Sequence, residues 1–200
     1  MAKRLAGNSW TVMAAAALGV LLGQSSWAAE PDDVRPTVRV SVEDPGDAFG
    51  KELARARSIV EDLYARAGIT LRWVGTTGTT SDHPSLRVVV KKSTAMPRSL
   101  TAEAIGVAPT PADGTRGSLA YVFSDRVIAF AQSNRLFVTS VLGLALAHEI
   151  GHLLLPANAH TADGIMRANW NPALFQPRAP GLPGFVPEQA RLLRFGALSR

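Results

Sequence analysis

A chain of 200 residues, 46% hydrophobic and 18% charged, suits one globular domain. Its formal charge of +5 is dispersed, with no block of five like charges and no basic stripe interleaved with aromatics, which argues against a nucleic-acid groove. With no cysteine, disulfides, a lipidated cysteine and thiolate metal ligands are all excluded.

Residues 1–28 read as a signal peptide. Lys3 and Arg4 form a positive start, Thr11 to Gly23 an apolar core, and Ser26-Trp27-Ala28 a small-x-small cleavage site. The alternative is an uncleaved membrane anchor, but the apolar run falls short of the ~20 residues a spanning helix needs. Cleavage after Ala28 leaves a domain over 29–200 with 19 basic and 16 acidic residues. The expected destination is secreted or periplasmic, with no membrane contact after cleavage.

Within the domain, residues 36–42 alternate apolar and polar as a half-buried strand does. A helix is expected from about Asp47 to Ala67, because Phe49, Leu53, Ala56, Val60, Leu63 and Ala67 recur at three- and four-residue spacing; Gly68 is placed to end it. Strands are expected over 69–74 and 86–90, separated by a polar stretch that holds His83, read as a surface histidine. Residues 93–117, rich in Thr, Ala, Pro and Gly, read as surface loop with at most a short helix at 101–105. Two short strands, 118–123 and 127–131, should flank a Ser-Asp-Arg turn, although the second could run into helix. From Asn134 to Leu155 a long run rich in Leu and Ala predicts a buried helix, which Pro156 ends. A last helix is expected to start at Pro187. The sum is an α+β domain with a twisted mixed sheet, an exposed edge strand, a long helix packed on the sheet and a C-terminal helix.

The chemistry is concentrated in AHEIGHLLLPANAH, residues 147–160, which holds three of the four histidines. His148 and His152, four apart on a helix, share a face and can offer imidazole nitrogens to one ion. Glu149 is turned about 100° from His148, poorly placed as a ligand but able to serve as general base. His160 is the candidate third ligand. On a continuous helix it would lie about 12 Å beyond His152, but Pro156 breaks the helix and Asn158 tolerates the left-handed backbone a reversal needs. An apolar helix carrying histidines for packing alone would have to bury Glu149 unpaired, at high cost. One zinc per chain is therefore expected at His148, His152 and His160, with Glu149 catalytic.

The stretch HEIGHLLLPANAH…GIM resembles the zinc-binding region of the metzincin metalloproteases. The resemblance implies an active-site helix bearing His148, Glu149 and His152, a turn bearing His160, and Met166 in a tight turn beneath the metal. It extends to the order of elements, and it implies that a peptide substrate lies along an exposed sheet edge, for which 118–123 is the candidate strand. Trp170 and Phe175 would line the pocket beyond the scissile bond, and Tyr121 is read as a strand-face aromatic rather than a helper of the oxyanion. The chain departs from the family at three places, one of them the short interval from His160 to Met166. The usual spacing puts the third ligand at Asn158, and Leu155 stands where the family has a turn glycine. The expected activity is that of an exported zinc metalloendopeptidase acting on peptides or proteins. A non-catalytic zinc module that binds a partner, and a zinc hydrolase with a non-peptide substrate, are the alternatives.

Overall fold

The structure is a computed structural model that describes residues 35–75, 85–101, 104–111, 115–175 and 182–200; the expected signal peptide and His83 lie outside them. Among the described residues, no helix is long and apolar enough to cross a membrane.

Five strands form one sheet: β1 (Thr37–Glu43), β2 (Thr70–Trp73), β3 (Leu86–Lys91), β4 (Gly106–Val107) and β5 (Leu119–Phe123). Their order is β2-β1-β3-β5-β4; only β4 is antiparallel to its neighbour. The register places Val40, Leu86, Val42, Val88 and Ala120 on one face, all buried, where they meet the helices. On the opposite face Arg87 pairs with Glu43 at 2.6 Å.

Helix α1 (Lys51–Arg66) buries Ala56, Val60 and Leu63, as the spacing predicts, and Tyr64 besides; Gly68 follows with φ +79°. It starts four residues late because the Asp44 carboxylate accepts the amides of Ala48 and Phe49, holding the entry as a turn. Beyond β3 come a 3-10 turn at Ser93–Ala95 and one helical turn, α2 (Arg98–Thr101), which lies ahead of the expected 101–105.

Two expectations are corrected after β5. Residues 127–131 are not a strand but part of helix α3 (Ser124–Ser133), and Ser-Asp-Arg is its first turn. A short apolar run does not reveal its period. The Asp125 carboxylate decides it: placed at the helix's positive end, it also accepts the amide and hydroxyl of Ser93 at 2.8 and 2.5 Å. The long helix, α4 (Val138–Leu154), begins four residues later than expected. Asn134 is used instead to close α3, donating from Nδ2 to the Phe130 carbonyl, and Arg135 takes φ +54°.

Every residue of α4 from Val141 to Gly151 is buried, His148 and Glu149 included. The helix packs against the sheet and against α1, α3 and α5 (Pro187–Leu198), the last beginning at Pro187 as expected. Tyr64 on α1 donates its hydroxyl to the Ala147 carbonyl at 3.0 Å, fixing α4 beside the first histidine.

The sheet edge is not 118–123. Strand β5 is paired on both sides, and β4 forms the edge, with Gly106 opposite Val122 and Val107 opposite Tyr121. Two residues of Gly-Val carry no alternation that a sequence could display; β4 is a strand because β5 pairs with it.

Candidate metal centre

Helix α4 stops at Leu154, and Leu155, before Pro156, is extended at φ −87°, ψ 160°. Asn158 then takes φ +60°, the left-handed conformation expected of it, and the chain doubles back. The reversal brings His160 over the helix face that carries His148 and His152. His152 Nε2 lies 3.0 Å from His148 Nε2 and 3.1 Å from His160 Nε2. The three side chains form a group that could hold a metal ion. Asn158, two residues before His160, lines the same cleft.

His148 Nδ1 lies 2.9 Å from the Ile165 carbonyl. A carbonyl only accepts, so the proton sits on Nδ1 and leaves a lone pair on Nε2, the atom that faces the other rings. Burial pushes the His148 imidazole down to about 4, opposed by the Ile165 hydrogen bond and aided by His160. Burial, then the neighbouring His148 and His160, takes His152 down to about 3. Both helix histidines are thus neutral near pH 7, the form that ligates.

Glu149 is buried in the same cleft, and its Oε2 has no hydrogen-bond partner. Burial raises its carboxyl to about 8. A cation held by the three histidines would reverse that bias by favouring the carboxylate. The fit to a metal is therefore chemical as well as geometric: three imidazole nitrogens converge, and a buried carboxyl with one unpartnered oxygen lines the same cleft.

The cleft encloses about 530 Å³. Residues 104–108, which contain β4, form one wall; Phe130, Ala145 and Trp170 form an apolar end. Trp170 meets the His148 ring edge-on at 5.6 Å between centroids, and Phe175 packs behind it, against both Trp170 and Phe130. Of the two aromatics expected to line the pocket, Trp170 does so and Phe175 is its support. The Tyr121 ring does not line the cleft; Lys91 Nζ sits 4.9 Å above it. Met166 is wholly buried under α4, where Gly151 leaves room: a β-carbon there would come within 2.7 Å of the Met166 sulfur.

Three contributors escaped the sequence reading. Phe130 was assigned to a strand. Gly106 was hidden in a loop-like stretch, although the apolar IGVA within it is a faint strand signal. Gln189, the third residue of the C-terminal helix, carried no signal: Val186 at the N-cap has no side-chain oxygen, so the sequence shows no capping box. Compared with known proteins, the chain matches no family model and no curated protein, so this centre is defined by its own residues alone.

Proposed function

We propose that the chain is an exported zinc-dependent peptidase of metzincin-like design. One observation carries this reading: three imidazole Nε2 atoms converge in a cleft that is walled by a sheet edge and holds a buried carboxyl with one unpartnered oxygen. The separations of 3.0 and 3.1 Å approach the about 3.3 Å between ligand atoms around a tetrahedral zinc with bonds of about 2.0 Å. Three imidazoles without thiolate also suit zinc.

His148, His152 and His160 would hold the zinc, which when bound supplies a Lewis acid that acidifies water and polarises a carbonyl. The Glu149 carboxylate takes the proton of the attacking water and returns it to the leaving amine. This carboxylate form, which burial alone disfavours, is the form a cation beside it would favour. The β4 backbone aligns an extended peptide by strand addition. The apolar end at Phe130 and Trp170 receives a side chain next to the scissile bond. Met166 corresponds to the methionine of the metzincin turn.

Metal analysis of the purified protein combined with digestion of a broad peptide library tests this reading. About one zinc per chain with internal cleavage of peptides is expected. Zinc without cleavage would leave a structural or non-peptide role, and no zinc would remove the centre itself. Export is tested separately, by sequencing the mature N-terminus, expected at Ala29.

A further inference from the structure

The third ligand is the least secured of the set. His148 is buried within α4, whereas His160 is exposed on a turn without regular structure. A ligand so placed contributes to affinity only while its turn holds the ligating arrangement.

Gln189 grips that turn on both sides of the ligand. It is a buried polar side chain, 4% exposed, on the first turns of α5. Its Nε2 donates to the Ala159 carbonyl at 2.9 Å and to Thr161 Oγ1 at 3.1 Å, the residues before and after His160. Its Oε1 accepts the Val186 amide at 3.4 Å, tying the amide group to its own helix. The two Nε2 hydrogens are thus matched to two acceptors, and the buried setting gives water little chance to replace them. Besides Gln189, Thr161 holds the far side of the turn, its amide donating to the Met166 carbonyl at 3.0 Å and its hydroxyl to the Asp163 carbonyl at 2.7 Å.

We infer that Gln189 is a positioning residue for metal binding: it holds the Ala159–Thr161 segment so that His160 Nε2 faces the two helix histidines. The inference rests on the metal reading above. A residue that merely stabilised the fold would act on all three ligands alike; Gln189 acts through one.

The test is a double-mutant cycle on the full protein, reading Zn2+ affinity by chelator competition. Gln189→Met fills the same space without donors. It should weaken Zn2+ about tenfold or more in the wild-type background, as loss of groups that orient a ligand does. In the His160→Ala background, where that ligand is already gone, it should change affinity by less than about twofold. The visible spectrum of the Co2+-loaded Gln189→Met protein should move toward that of His160→Ala. Gln189→Glu keeps the acceptor for Val186 but sets oxygen against oxygen at Ala159, and should follow the same pattern should the methionine variant fail to fold. Equal losses in both backgrounds, or no loss in the wild-type background, would overturn the inference and leave the metal centre standing. A wild-type protein that binds no Zn2+ would overturn both.

Discussion

Gly106 lies against the carboxyl of Glu149: a β-carbon at position 106 would come within 2.6 Å of Glu149 Oε1 and 2.7 Å of the Tyr121 carbonyl. The glutamate side chain can swing aside, but that carbonyl is held in β5, so β4 has to shift as well. Gly106→Ala should therefore leave metal content unchanged and lower kcat about tenfold to a hundredfold, the scale on which a displacement of about 1 Å acts. Undiminished turnover with metal bound would mean that catalysis does not use this position of Glu149.

Glu149→Gln tests the base itself. The amide cannot take a proton, so peptide cleavage should fall at least about a hundredfold. Zinc should stay bound, and the metal-loaded variant should melt within a few degrees of wild type. If zinc is lost with the carboxylate, Glu149 is a ligand or supports one, and the division of roles along the helix is wrong.

The ligand assignment separates two residues two apart. His160→Ala should lower zinc content sharply. Asn158→Gly, which keeps the left-handed turn at φ +60° and removes only the side chain, should not. The opposite result would transfer the third ligand to Asn158.

The metal-free protein should carry a pH signature in its melting temperature. His148 and His152 titrate at about 4 and 3 when folded, against 6.5 unfolded, so the unfolded chain takes up protons first. Their effect is a loss of stability as pH falls from 6.5 toward 4. Glu149 runs the other way: raised from 4.5 to about 8, it costs stability as pH rises through that interval. Metal-free Glu149→Gln should therefore exceed metal-free wild type in melting temperature by a margin that grows from pH 5 to pH 8. A margin independent of pH would show that Glu149 is ionised in the empty cleft.

The sequence disclosed what depends on local spacing. His148 and His152 share a helix face, Pro156 ends the helix, and Asn158 turns the chain, because each follows from a few adjacent residues. The buried stripe of α1 and the start of α5 at Pro187 were legible for the same reason. What stayed hidden depends on partners distant in the chain. Strand β4 exists through its pairing with β5, and α3 is helical where a strand was expected, its Asp125 meeting Ser93 thirty-two residues away. The edge was placed one strand inward on that account. Gln189 acts on a turn 28 to 30 residues earlier. No window of sequence contains both ends of such a contact.

The placement of the three histidines has a kinetic consequence. All lie within thirteen residues, so bringing them together closes only a short loop and costs little chain entropy. Yet His160 is seated by α5, which joins from the far end of the domain. During refolding, α4 would present a half-site of two histidines as soon as it docks, and the complete site would wait for α5. Zn2+ present from the start should then be captured in two phases, weakly and then tightly. Stopped-flow mixing with a chromophoric chelator would resolve them, and a single phase at the rate of global folding would show that the three ligands arrive together.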